Sequence, residues 1–133
     1  MNLRLARAFE KFQLGGKYGY NTSRATVKNN SKNSHSAGLF ASSNFFPGIT
    51  TVTYGINHTD FSAADNAYNA DEKRQDRSHT LGVNYMIGLS SLNAPVGNET
   101  RVSLATKYGK TKSNIANFTK YSGEMSLTLI KPF

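Results

Sequence analysis

Cysteine and tryptophan are both absent from this chain. Without cysteine it has no disulfide framework and no thiolate metal site. Long apolar runs are missing as well. The longest near-apolar stretch, Tyr85-Met86-Ile87-Gly88-Leu89, falls far short of the roughly 20 residues that a spanning helix needs. Charge is modest, at 18% of residues against 38% hydrophobic, which argues against a highly charged disordered chain. The first residues, Met1-Asn2-Leu3-Arg4-Leu5-Ala6-Arg7, carry two arginines but neither an apolar core nor a small-residue cleavage site. They do not read as a signal peptide, and the expectation is a mature chain or a fragment.

What is present is threonine, serine, asparagine, glycine, tyrosine and phenylalanine, in an order of period two. Phe12, Leu14, Gly16, Tyr18 and Tyr20 alternate with Gln13, Gly15, Lys17, Gly19 and Asn21. The same alternation runs through Val52, Tyr54 and Ile56, through Leu81 to Leu89, through Val102 to Tyr108, and through Tyr121 to Leu129. A weaker strand lies at about Ser34 to Asn44, and a first strand at about Leu3 to Phe9. Helical spacing would instead group residues at i, i+3, i+4 and i+7. The 133 residues suffice for one domain. That domain reads as all-β, with six to seven long antiparallel meander strands.

A soluble β-sandwich alternates too. Two features favour a transmembrane barrel segment. The strands are long against the usual 5–6 or so residues of soluble proteins. The polar set also includes Lys17, Arg101, Lys107 and Glu124, which suit a wet lumen. Tyr18, Tyr20, Tyr54, Tyr108 and Tyr121 fall near strand ends on the apolar side and fit an interfacial girdle, whereas Tyr85 reads as mid-strand. Short connections at Glu10-Lys11 and Phe45-Phe46-Pro47-Gly48 and a medium one at Ser91–Glu99 alternate with longer loops at Thr22–Asn33, Asp60–Asp76 and Lys110–Phe118. Seven strands do not make the even number of a complete bacterial barrel, so the chain reads as the truncated C-terminal portion of one, residues 1–133.

The last segment ends on Phe133, with Leu129, Leu127, Met125, Gly123 and Tyr121 at alternate places before it. This resembles the terminal β-signal that the barrel-assembly machinery of the bacterial outer membrane recognises. Lys131 and Pro132 depart from that pattern. The physical logic is strand addition at an exposed sheet edge. Over roughly residues 50–133, the Arg74/Asp76 loop, the Ser113-Asn114 pair and the closing strand are similar to the C-terminal barrel of the surface lipoprotein assembly modifier family. The resemblance implies an outer-membrane barrel, joined in that family to periplasmic tetratricopeptide repeats, that helps export lipoproteins to the cell surface.

Chemistry is sparse. His35, His58 and His79 are far apart in sequence, and no metal site, cofactor site or catalytic group is expected. Gly109-Lys110-Thr111 echoes the end of a P-loop, but Leu104 stands where the first glycine belongs. The net charge of +8 is scattered, with Arg24, Lys28 and Lys32 in one segment and Lys107, Lys110 and Lys112 in another, so nucleic acid is not an expected partner. The expected partners are outer-membrane lipid, the assembly machinery and surface lipoproteins. A porin-like channel and a soluble sandwich adhesin are the competing readings.

Overall fold

The computed structural model describes residues 1–26, 30–44, 47–64, 72–92 and 100–131. Seven strands follow one another: β1 (Asn2–Ala8), β2 (Phe12–Ser23), β3 (Lys32–Ser43), β4 (Ile49–Ala64), β5 (Lys73–Gly88), β6 (Arg101–Ser113) and β7 (Lys120–Ile130). Each pairs antiparallel with the next in a single sheet ordered β1 to β7. The two outer strands do not pair with each other, so the sheet is open. No α-helix occurs among the described residues. The expected antiparallel meander is the fold.

The strands run further than the hydrophobic pattern does. The segments expected as loops at Thr22–Asn33, Asp60–Asp76 and Lys110–Phe118 shrink to connections at 24–31, 65–72 and 114–119. The longest connection, 89–100, lies at the opposite end, where a medium turn was expected. The anticipated contrast of short turns and long loops is therefore not what separates the two ends. Strand overhang separates them: β4 and β5 continue past the apolar residues, with a β-bulge between Asp60 and Ala64. The bulge inserts residues on β4 alone and re-aims the strand there. At the other end Gly48 turns with φ +126°, a left-handed value that glycine adopts without a Cβ penalty.

The register sorts the side chains onto two faces. Directly opposed positions lie on the same side of a sheet, so one row runs Leu5, Gly16, Leu39, Tyr54, Leu81, Tyr108, Gly123. Its neighbour contains Arg7, Leu14, Ala41, Val52, Val83, Thr106 and Met125, apolar but for Arg7 on the outer strand and Thr106. The opposite face carries Lys17, Gly38, Gly55, Thr80, Gly109 and Ser122 along one row. Hydroxyls pair across that polar face, Ser34 with Thr59 at 3.0 Å, Ser42 with Thr51 at 3.1 Å and Ser78 with Thr111 at 2.9 Å.

A core is nearly lacking. Among the described residues only Ile87 and Ile115 are buried hydrophobics, and no large side chain is fully enclosed. The accessible surface is 9781 Å², against roughly 6,900 Å² for a compact folded chain of this 14.6 kDa mass. A sandwich needs a second sheet packed on the apolar face. None is present among the described residues, where all seven strands belong to one sheet.

Candidate functional site

The apolar face is the largest feature of the molecule. Leu39 is 66% exposed, Met125 78% and Leu127 74%, values foreign to a soluble core. Aromatic rings mark both of its margins. Towards the 24–31, 65–72 and 114–119 connections stand Tyr20, Tyr18 and Tyr121, on this face as expected; Tyr54 and Tyr108, expected near strand ends as well, share the face but lie mid-strand in the row of Leu39 and Leu81. Two of their hydroxyls are held by histidines, Tyr18 on His35 Nδ1 at 2.9 Å and Tyr54 on His79 Nδ1 at 2.8 Å. At the other margin Phe9 stacks on Phe12 with centroids 4.4 Å apart. Tyr85, read from the sequence as mid-strand, belongs to this second margin, and its hydroxyl donates to the Pro47 carbonyl. The correction follows from register: Tyr85 opposes Thr50 near the start of β4. From Phe12 to Tyr20 is eight residues of β2, or roughly 27 Å of strand before tilt.

The polar face is hollow. Strands β1 to β6 line one cavity of about 790 Å³ on that side, among them Arg4, Lys17, Ser36, Asn57, Asn84 and Lys107. The four charged residues expected on a polar interior, Lys17, Arg101, Lys107 and Glu124, all fall on this face. Lys107 and Glu124 are directly opposed, with 3.8 Å between ammonium and carboxylate. Both are largely exposed, so the pair contributes little. Gly15 lies beneath the Phe40 ring, and the Arg4 guanidinium sits 4.8 Å from the centroid of that ring.

A corner closes the overhanging end of the same face. Arg74 makes two hydrogen bonds to Asp76, one from Nε to Oδ1 at 2.9 Å and one from Nη2 to Oδ2. Its guanidinium lies 4.5 Å from the Phe61 ring centroid and 3.7 Å from that of Phe118, a cation held between two aromatic faces. Asn114 extends the ladder with its side chain, accepting from the Gln75 amide at 2.7 Å and donating to the Lys73 carbonyl at 2.9 Å. Asp76 lies in the part of β5 above the apolar rows. Burial pushes its carboxyl up, but hydrogen bonds from Arg74 and Ser113 and the charges of Arg74 and Lys120 outweigh that. The group is held below the ordinary carboxylate value. The segment with Arg74 and Asp76 was expected as a loop; the structure makes it strand, because the ladder with Ser113 continues to Asp76.

On β7, Tyr121, Gly123, Met125, Leu127 and Leu129 share the apolar face, and all are exposed. Phe133 lies outside the described residues, as do Asp65, Asp71 and the Phe45-Phe46 pair. One edge of β7 is occupied by β6 and the other is open within this sheet. Register also gathers residues that the sequence leaves apart. His35 opposes His58, and His79 stands one row away on the same face. No cluster of three or more metal-ligating side chains is found among the described residues. Nothing in the local sequence could have indicated the histidine convergence, since it depends on two strand pairings. No protein family, curated protein or solved structure matches this chain.

Proposed function

We propose that this chain is a membrane-spanning segment of a bacterial outer-membrane β-barrel, and that its parent assembly helps move lipoproteins to the cell surface. One observation carries the membrane reading: a single-layer sheet has a broad, largely apolar face with nothing packed on it among the described residues. Burying such a face is worth about 25 cal/mol per Å², and a bilayer supplies that burial where the protein has no second layer. The two aromatic margins and the polar, hollow opposite face belong to the same architecture. Further strands, pairing with the free edges of β1 and β7, would close the barrel.

The transport reading rests on the resemblance to surface lipoprotein assembly modifiers. Its support here is that the separate pieces of that resemblance meet. Asp76 opposes Ser113, and Asn114 bonds the backbone on either side of Arg74. A passive channel is the alternative, since Arg4, Lys17 and Lys107 line the hollow and would favour anions.

Flotation of the full chain with phosphatidylcholine vesicles, with a heat-modifiability gel of the floated fraction, tests the membrane reading. Co-flotation with a shift on boiling is expected. A folded monomer that stays in the aqueous fraction would overturn it. Planar-bilayer conductance then separates transport factor from channel: steady anion-selective conductance favours the channel, and silence favours the transport factor.

A further inference from the structure

The apolar face ends, on its overhang side, in a group of basic side chains, three cations and a histidine. Arg77 directly opposes Lys112, and one row nearer the apolar residues His79 opposes Lys110. All four side chains belong to the apolar face, continuing the β5 and β6 columns that contain Leu81 and Tyr108. Arg77, Lys110 and Lys112 are exposed, and none of them has a carboxylate partner among the described residues. The nearby Asp60 is engaged with His58 at 3.2 Å, while Asp76 and Glu124 lie on the other face. Lys110 reaches over the Tyr121 ring at 5.3 Å, and His79 is fixed by Tyr54.

Like charges set directly opposite each other on a sheet repel and destabilise the pairing. Opposed residues have Cα atoms only about 4.5–5.5 Å apart. Arg77 against Lys112 is therefore mildly unfavourable, and an anion between the two side chains turns the repulsion into attraction. Height narrows the choice of anion. The cluster borders the tyrosine margin, where a spanning strand leaves hydrocarbon and meets headgroups, and long basic side chains there reach for the interface.

We infer that Arg77, His79, Lys110 and Lys112 form a lateral binding site for the phosphate of an anionic lipid headgroup. This rests on the membrane reading. The charges bind from outside the sheet, so the site is distinct from the polar hollow and its Lys17 and Lys107.

The test is to fold the full chain into phosphatidylcholine vesicles doped with phosphatidylglycerol. The floated protein is then extracted in mild detergent, and the lipids still bound are counted by mass spectrometry. Phosphatidylglycerol should be enriched over the bulk ratio by roughly fivefold. The Arg77→Gln/Lys110→Gln/Lys112→Gln variant should return to the bulk ratio, with Lys112→Gln alone falling between. Arg4→Gln/Lys17→Gln/Lys107→Gln removes as much charge from the opposite face and should keep the enrichment. Flotation with no enrichment, or equal loss in both triple variants, overturns the lipid site and leaves the membrane reading intact. A chain that does not float at all removes both.

Discussion

The middle of the sheet and its overhanging corner are built on opposite plans. In the middle, strands are joined by the backbone ladder with few side-chain hydrogen bonds, such as that from Thr53 to the Gly82 carbonyl, and among the described residues the large apolar side chains on the outer face touch no second layer. At the corner, side chains do the joining: Arg74 is clamped to Asp76 between Phe61 and Phe118, Ile115 is buried, and Asn114 completes the ladder. The corner satisfies itself in water. On the membrane reading, the difference between the two marks where the surroundings change from apolar to aqueous.

The largest effect should come from placing a charge in the middle. Leu81 lies in the central apolar row and is 48% exposed, whereas its neighbour Thr80 points to the polar hollow. On the membrane reading Leu81→Arg should cost about 2–4 kcal/mol of folding in lipid, while Thr80→Arg should cost much less. Urea titrations in vesicles measure both. In a protein that folds in water, a half-exposed leucine tolerates arginine at about 0.5 kcal/mol or less. Equal, small effects at the two positions would therefore sink the contrast.

Next in size is the corner clamp. Arg74→Ala leaves the Asp76 carboxylate, 8% exposed, without its main partner. Leaving a buried polar group unsatisfied costs about 1–3 kcal/mol. The loss should be local, seen as faster amide exchange at Asn114 and Ile115 while the central strands keep their protection. Adding Asp76→Asn should recover part of it, since the unpaired charge is then gone. Uniform loosening of the whole sheet would mean that the corner and the middle are one cooperative unit.

These two regions were unequally legible in the sequence. Alternation located β2, β4, β5, β6 and β7 because a face in contact with apolar surroundings must be apolar at every second residue. The same pattern misplaced strand ends. Ser78, Arg77 and Asp76 are ladder residues, yet they are polar, so periodicity of hydrophobicity stopped before the strand did. Alternation reports the environment of a strand and not its hydrogen bonds. The corner had no local signal: Phe61 sits in a bulge, Arg74 follows a connection, and Phe118 is in a short 3-10 turn at Ala116–Phe118. The basic cluster was hidden for a similar reason. Lys110 and Lys112 look scattered until pairing sets Arg77 and His79 beside them.

A smaller effect distinguishes glycines within the sheet itself. A Cβ added to Gly15 would lie 2.3 Å from Phe40 Cζ and 2.7 Å from the Leu5 carbonyl oxygen. The ring can swing aside, but the backbone oxygen cannot. Gly15→Ala should therefore lower stability by about 1–2 kcal/mol, and Phe40→Ala should rescue it only in part. Gly123 has nothing within 4 Å, so Gly123→Ala should leave the thermal midpoint unchanged. Because Gly123 belongs to the terminal strand, the same variant separates folding from assembly. A defect in membrane insertion in cells, without a change in the purified protein's midpoint, would assign the residue to recognition by the assembly machinery.

The smallest effect is the pH dependence of the corner. The folded Asp76 carboxyl is held below its ordinary value, so the ionised form is the one the fold favours. The resulting stabilisation is complete above the ordinary aspartate value of about 3.9 and fades as pH falls below it towards the folded value. No change in the corner is expected between neutral pH and about 5, because both the folded and unfolded carboxyls remain ionised there. The side-chain amide signals of Asn114, which bond the strand that carries Asp76, supply a local probe by NMR. They should hold steady down to the carboxylate range and move only below it, and in Asp76→Asn that acid transition should vanish. A shift centred near pH 6 would point to a histidine and would remove Asp76 as its cause. An unchanged transition in Asp76→Asn would place the titrating group elsewhere, and the corner would then owe its order to Phe61, Phe118 and Asn114 rather than to the clamp.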